Sequence, residues 1–191
     1  GTPGCGAFSG DGGPALEAQL SEPFSILIDD DGAMIFTDGV NSRIRRIDTD
    51  GIITTIAGDS VRGYNGDGLP ATLVHLAPFG IAMGPDHALY LADGGNNRIR
   101  RIGTDGIITT IAGTGAYGFS GDGGPALEAT FRNPSNLVFG ADSSLIVADW
   151  YNNRIRRIGT DGIITTIAGS GATGQGVGAF SGDGGPATDA Q

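Results

Sequence analysis

The residues with the most regular chemical spacing are three aspartates, each five positions before an arginine. A carboxylate at such a position can bind a ligand or a metal. It can also accept hydrogen bonds from a turn backbone and form an ion pair with the arginine. The arrangement recurs along the chain, whereas a functional site usually breaks such symmetry, so we expect turns and ion pairs rather than catalysis. The pairs are Asp38 and Arg43, Asp93 and Arg98, and Asp149 and Arg154.

A second group of aspartates lies in glycine-rich segments of the type Phe-Ser-Gly-Asp-Gly-Gly-Pro-Ala. Calcium is bound by about six to eight oxygen atoms, and one aspartate per segment falls short of that number. We therefore expect no cofactor, with calcium as the less favoured alternative. The favoured role is a turn that caps a short helical segment beginning at the proline. These aspartates are Asp11, Asp67, Asp122 and Asp183.

Other groups that could carry catalysis are sparse. The chain has two histidines, His75 and His87, and one cysteine, Cys5. A zinc site or a nucleophilic enzyme requires more convergent ligands or a serine–histidine–aspartate arrangement. The sequence therefore predicts a protein that is not an enzyme. The alternative is a lyase or hydrolase with a metal in a central channel.

The arginines form triplets within the repeated sequence Arg-Ile-Arg-Arg, at residues 43–46, 98–101 and 154–157. The net charge of −10 and the lack of aromatic residues between these arginines argue against a nucleic-acid-binding surface. We expect a solvated strand with ion pairs between neighbouring sheets. No apolar run reaches the ~20 residues of a membrane span, so we expect no membrane partner. From the charge argument above we also expect no nucleic-acid partner.

Exposed aromatic residues are the most promising candidates for recognition. Trp150 and Tyr151 replace glycine or valine at the same position of the other repeats. We predict that they line a binding face together with other aromatics from the glycine-rich loops. The equally weighted alternative is that Trp150 packs on Phe119 or Pro125 to hold a loop. The remaining members of the predicted face are Tyr64, Tyr117 and Phe119.

The elements that position these residues come from one repeated unit. The stretch 98–113 returns unchanged at 154–169, and at 43–58 with Asp48 replacing a glycine. Two β-branched runs around Thr-Asp-Gly predict a hairpin, and two shorter strands precede it in each repeat. Short links favour an antiparallel meander. We predict an all-β single domain over 1–191, a β-propeller with four-stranded antiparallel blades at about 24–58, 79–113 and 135–169. Inter-blade loops lie at 1–23 and 170–191.

The turn motif resembles the NHL repeat over nearly the whole chain. It stands at Tyr90 to Arg100, at Ile146 to Arg156 and more loosely at Ile35 to Arg45, where Val40 and Ser42 depart from it. The long loops resemble those of bacterial surface or secreted NHL proteins and of extracellular teneurin-like propellers. The resemblance implies a ring of about six blades and a secreted or cell-surface location. Members of the family include protein-binding scaffolds, RNA-binding domains and a few lyases.

Three blades leave two apolar faces open to solvent, an arrangement that is unfavourable for a monomer. Two chains related by a two-fold axis would complete a ring of six blades, so we expect a homodimer. At each junction two copies of the terminal loop would compete for one position. We predict a non-catalytic scaffold or protein-interaction module with a possible protein partner on the loop face. The further alternative is a fragment or an engineered repeat protein without a native ligand.

Overall fold

The computed structural model describes residues 8–171 and 181–190, which form three antiparallel sheets. Blade 1 contains β1 (Pro23–Ile28), β2 (Met34–Asp38), β3 (Arg43–Ile47) and β4 (Ile53–Ala57). Blade 2 contains β5 (Leu69–Pro70), β6 (Ile81–Met83), β7 (Leu89–Asp93), β8 (Arg98–Ile102) and β9 (Ile107–Ala112). Blade 3 contains β10 (Pro134–Phe139), β11 (Leu145–Asp149), β12 (Arg154–Ile158) and β13 (Ile164–Ala168). The predicted all-β fold with three antiparallel blades is confirmed.

The repeated hairpin closes at a glycine with a left-handed backbone. Gly51, Gly106 and Gly162 have φ between 76° and 80°, a region that glycine enters without steric cost. In blade 1 the turn is completed by the Asp48 amide, which donates to the Ile52 carbonyl at 3.0 Å. These turns fix the register of the third and fourth strands, which is the same in all three blades.

Four glycine-rich segments, which we call inserts, separate or flank the blades. Each insert contains one three-residue 3₁₀ turn. No helix among the described residues is long and apolar enough to cross a membrane. Insert 2 also supplies β5, so the middle sheet has five strands rather than the predicted four. Inserts 1 and 3 make only isolated bridges at the same place, Pro14 with Ile52 and Pro125 with Ile163. The inserts comprise residues 8–20, 64–76, 119–131 and 181–190.

Neighbouring blades pack face to face. We call the side of a blade that contacts the following blade its forward face, and the opposite side its rear face. Ile44 and Ala57 on the forward face of blade 1 join a buried cluster with Ile81 and Leu91 on the rear face of blade 2. The forward face of blade 2 and the rear face of blade 3 form an equivalent cluster around Phe131.

The inserts run between the blades and bond to both neighbours. Insert 2 donates from Gly68 to Ile108 of blade 2 at 2.9 Å, and its Ala71 carbonyl accepts from Gly58 of blade 1 at 2.9 Å. Insert 3 repeats the pattern between blades 2 and 3. An insert between two blades therefore fastens the outermost strand of one blade to the end of the other.

Candidate functional site

Each blade buries one arginine of its third strand, and Arg100 in blade 2 represents them. Its guanidinium lies 2.9 Å from Asp67 of insert 2 and 3.6 Å from Asp93 at the end of β7. It also donates to the Gly66 carbonyl at 2.6 Å. We call this recurring group of an arginine, a strand aspartate and an insert aspartate the arginine clasp. The other two clasps are Arg45 with Asp38 and Asp11, and Arg156 with Asp149 and Asp122.

The strand aspartates have one of the two roles predicted for them. Asp93 accepts the Ala77 amide at 2.7 Å and the Asn96 side chain at 2.9 Å, so it does organise the turn. Its ion pair, however, is with Arg100 and not with Arg98, although Asp93 and Arg98 are cross-strand neighbours. Burial raises the pKa of Asp93 above the usual range, and the hydrogen bonds from Asn96 and Ala77 together with the charges of Arg100 and Arg98 oppose that effect. The same correction applies to Asp38 and Arg43, and to Asp149 and Arg154.

The first arginine of each triplet has another task. Arg98 donates to the Thr114 carbonyl at 2.7 Å and to the Asn96 carbonyl at 3.2 Å. Backbone carbonyls before the third strand and beyond the fourth strand bind this guanidinium, which remains partly solvated, whereas the fully buried Arg100 is paired with carboxylates. Arg43 and Arg154 likewise donate to the carbonyls of Gly58 and Ser170.

Three of the insert aspartates, Asp11, Asp67 and Asp122, hold arginines, and no insert aspartate caps its 3₁₀ turn. Asp122 accepts from Arg156 at 2.7 Å and from the Thr166 amide at 3.1 Å. Burial alone would raise the pKa of Asp122, but the bonds from Thr166 and Arg156 outweigh it and lower the pKa. The 3₁₀ turn that follows, at Ala126–Glu128, has no side-chain cap. The predicted capping role is therefore wrong.

Aromatic rings from the inserts lie against the arginines, and the middle arginine of each triplet is fully buried, so the expected solvated strand is wrong at this position. Tyr64 lies 3.9 Å from the Arg98 guanidinium and 4.9 Å from that of Arg100. A guanidinium over an aromatic face is attracted by the ring quadrupole. Phe8 and Phe119 occupy the same place over the arginines of blades 1 and 3. One aromatic residue opens each of inserts 1 to 3, and this recurrence was the signal in the sequence that could have revealed the contact.

Three members of the predicted aromatic face lie together. The rings of Trp150 and Tyr151 stack at 4.6 Å, and the Arg132 guanidinium lies 4.7 Å from the Tyr117 ring and 5.8 Å from the Tyr151 ring. Trp150 is 51% exposed. Its stacking partner is Tyr151, whereas Phe119 and Tyr64 belong to the arginine contacts of two successive blades.

Trp150 also lies at the border of the open forward face of blade 3. A Cβ atom at the equivalent Gly94 would lie 2.6 Å from the Phe79 ring and 2.4 Å from the Pro134 carbonyl of the next blade. In blade 3, Ser135 replaces that phenylalanine, and the aromatic ring comes from Trp150 in the turn instead. Trp150 and Ser135 border a groove of about 320 Å³ that continues over Ala148 and Ala168 on the forward face.

The rear face of blade 1 is the second open surface. Ile26 is 62% exposed, while Ile81 and Leu137 at the same position of blades 2 and 3 are 5% exposed. A groove of about 360 Å³ follows this face between Leu20 and Ile47, with almost only apolar groups along it. Both open faces thus carry apolar residues at positions whose counterparts in the other blades form buried interfaces inside the chain.

The histidines contact carboxylates in separate parts of the fold. His75 Nδ1 lies 2.9 Å from Asp59, and His87 Nδ1 lies 2.5 Å from Asp30. Among residues 8–171 and 181–190, no three histidine, cysteine or acidic side chains form a group that could hold a metal ion. The described part of the chain thus offers no convergent set of ligands for metal-assisted chemistry.

Comparison with known sequences identifies the type of repeat. A family model described as the teneurin NHL domain matches residues 2–65. Teneurin-m of Drosophila melanogaster is 35% identical over 185 residues, which cover 88% of this chain and 7% of that protein. Human teneurin-4 is 33% identical over 177 residues, covering 84% of this chain and 6% of that protein. The predicted resemblance to NHL repeats of the teneurin kind is confirmed, for a chain that spans under a tenth of these relatives.

Comparison with solved structures supports the propeller fold. A protein of unknown function from Bacteroides thetaiotaomicron superposes with a TM-score of 0.64 at 22% identity, covering 75% of this chain and 37% of that one. A catalytically inactive virginiamycin B lyase from Staphylococcus aureus, solved with quinupristin, gives 0.52 at 29% identity, covering 77% and 41%. The predicted β-propeller architecture is confirmed, and this chain spans less than half of either neighbour.

Proposed function

We propose that this chain, which is built from NHL repeats of the teneurin type, is a non-catalytic interaction scaffold that binds a second copy of itself through its two open blade faces. Two arcs of three blades then complete a six-bladed ring about a two-fold axis. The observation that carries the proposal is the exposure of Ile26 at a position that is buried in both other blades.

The occupant of the open rear face follows from the interfaces inside the chain. The rear faces of blades 2 and 3 are covered by forward faces that present a fully buried isoleucine and alanine, Ile44 with Ala57 and Ile99 with Ala112. The open forward face of blade 3 carries the same pair, Ile155 and Ala168. The surface that best matches the groove at Ile26 is therefore the forward face of another copy.

Substitutions on the two faces test this arrangement. Ile26→Glu places a charge on the rear face, and Ile167→Glu places one on the forward face at a position where Ile56 and Ile111 pack against the internal clusters. An unpaired charge in an apolar interface is costly. We expect each variant to sediment as a monomer when alone, while Thr109→Glu, on an exposed outer strand of the middle blade, remains dimeric.

Mixing the two face variants gives a sharper test. One junction of the mixed pair unites two unaltered faces and the other unites two altered ones, so we expect an open heterodimer joined at one junction. Failure of the mixture to associate, when wild type does, would contradict a head-to-tail junction. Association of Ile26→Glu with itself at wild-type strength would contradict the proposed surface.

A second binding surface is proposed on the insert side, where Tyr117, Trp150 and Tyr151 gather around Arg132. Half-exposed aromatics beside an arginine are enriched in the centres of protein interfaces. The supporting observation is the stack of Trp150 on Tyr151, which leaves both rings accessible. We expect Tyr117→Ala to leave self-association unchanged, because Tyr117 lies outside both open faces. A loss of dimer in this variant, measured by sedimentation, would contradict the placement of Tyr117 outside the junction.

A further inference from the structure

At each junction of the proposed ring, insert 4 of one copy and insert 1 of the other would occupy the same position between two blades. Deciding which insert keeps the position identifies the binding partner of insert 1. We propose that insert 1 of one copy displaces insert 4 of the other copy and fastens the two chains together. The inference rests on the self-association proposed above. It identifies a specific docking surface: insert 1 binds the amide edge at Gly169 and Ser170 of the second copy.

Inserts 2 and 3 show what a complete junction requires. Insert 3 donates from Gly123 to Ile164 of the following blade at 2.7 Å. Its Ala126 and Ala129 carbonyls accept the Gly113 and Thr114 amides of the preceding blade, each at 2.9 Å. One insert therefore occupies the whole position between two blades, and a second insert has no place there.

Inserts 1 and 4 each make one half of these contacts. Insert 1 donates from Gly12 to Ile53 of blade 1 at 2.8 Å, which is the contact with a following blade. Insert 4 accepts the Gly169 and Ser170 amides of blade 3 at 2.9 and 2.8 Å, which is the contact with a preceding blade. When blade 3 of one copy meets blade 1 of another, both inserts compete for one position.

The contacts of the two inserts indicate which one is displaced from the junction. Insert 1 holds the buried Arg45 through Asp11 at 2.9 Å and through the Ser9 carbonyl at 3.3 Å, in addition to its backbone bonds. Asp183, the counterpart of Asp11 in insert 4, is exposed and pairs with no arginine among the described residues. Displacing insert 1 would leave a buried guanidinium with only Asp38, whereas displacing insert 4 breaks backbone bonds at an exposed edge.

Insert 1 also has the surface needed to replace insert 4. Leu20 is 41% exposed, while its counterparts Leu76 and Phe131 are fully buried against the preceding blade. Ala15 and Ala18 are likewise more exposed than the corresponding residues of inserts 2 and 3. Their carbonyls correspond to the acceptors at Ala126 and Ala129. They are therefore placed to receive the Gly169 and Ser170 amides of a second copy.

A matched pair of glycine substitutions in the full chain tests the exchange. Gly10 in insert 1 and Gly182 in insert 4 have φ of 94° and 93°. A Cβ atom would lie 2.8 Å from the Ala18 Cα and 2.9 Å from the Ala190 Cα, respectively. Valine at either position therefore distorts one insert by the same mechanism. The readout is the dimer Kd from sedimentation equilibrium, with circular dichroism to verify the blades.

We expect Gly182→Val to lower the dimer Kd by roughly fivefold or more, because two competing backbone bonds are lost at each junction. Gly10→Val should raise it. If the wild type dimerises but Gly182→Val leaves the Kd unchanged or raises it, the exchange is overturned while self-association stands. Tightening by Gly10→Val would overturn the assignment of insert 1. If the wild type and both variants remain monomers, both proposals fail together.

Discussion

The substitution Asp93→Asn tests the arginine clasp, which connects an insert to its blade. Asn is nearly the same size as Asp, so the change removes a charge without opening a cavity. Asp93 and Arg100 are both fully buried, at 3.6 Å, and the remaining carboxylate of the clasp, Asp67, is about one-third exposed. After substitution Arg100 keeps its positive charge in the interior and loses its buried carboxylate partner, so that only Asp67 remains to pair with it.

The expected cost is large because a buried charge is left only partly paired. Removing one partner of a buried ion pair typically costs about 3–5 kcal/mol. A suitable control is Asp86→Asn, which removes a carboxylate 2.6 Å from Arg101 at a partly exposed site. Exposed pairs contribute about 0–1 kcal/mol, so the control should be several-fold milder. Urea unfolding of both variants at neutral pH provides the comparison.

A double-mutant cycle isolates the ion pair from the turn contacts of Asp93. Arg100→Met removes the guanidinium while keeping an apolar chain of similar length. If the clasp is the reason for the loss, Asp93→Asn should cost much less in the Arg100→Met background. Equal cost in both backgrounds, or a cost no greater than that of Asp86→Asn, would refute the reasoning.

Three further outcomes follow from burial, exposure and charge. Leu76→Ala should destabilise the chain by about 2–5 kcal/mol, because Leu76 is fully buried. The equivalent Leu20→Ala should have a small effect on a monomer when both are compared by urea unfolding. Trp150 is the only tryptophan and borders the open forward face, so its emission should shift to shorter wavelength as protein concentration rises. A concentration-independent spectrum would contradict the proposed junction. The Ser144 hydroxyl and a neighbouring guanidinium hold the pKa of Asp142 below the 3.8 of an unfolded aspartate. The stability from this carboxylate is therefore present above pH 3.8 and lost below it, and Asp142→Asn should make acid unfolding less steep between pH 4 and pH 2; an unchanged slope would contradict this assignment.

The strands could be predicted because the sequence repeats them with little change. The third strand has the same length and the same position relative to the hairpin in all three blades, since a turn with Thr-Asp-Gly fixes both sides. The left-handed position before it was also predictable from Asn97 and Asn153. Ser42 adopts the same φ of 52° despite its departure from the motif, because the surrounding turn is unchanged.

The partners of the arginines could not be predicted from spacing. Counting five positions from Asp93 leads to Arg98, which is its neighbour across the sheet. The choice of Arg100 depends on insert 2, whose Asp67 lies 33 positions earlier in sequence. Such a contact is set by how the insert folds back on the blade, and short-range sequence patterns carry no information about it.

The candidate binding face was predictable only in part for the same reason. Trp150 and Tyr151 adjoin in sequence and stack as neighbours, but Tyr117 reaches them through Arg132, whose guanidinium lies over both tyrosine rings. Tyr64 and Phe119 recur at the first position of their inserts, which is typical of a structural role. Their contact with the arginines explains why that position is aromatic in each described case.

The central claim is that three blades with open apolar faces associate into a ring, and the mass of the unaltered protein in solution tests it most directly. Sedimentation equilibrium over a dilution series through the micromolar range should give twice the chain mass of 19.2 kDa, dissociating only at the lowest concentrations. A folded species that stays at 19.2 kDa throughout the series would contradict the claim.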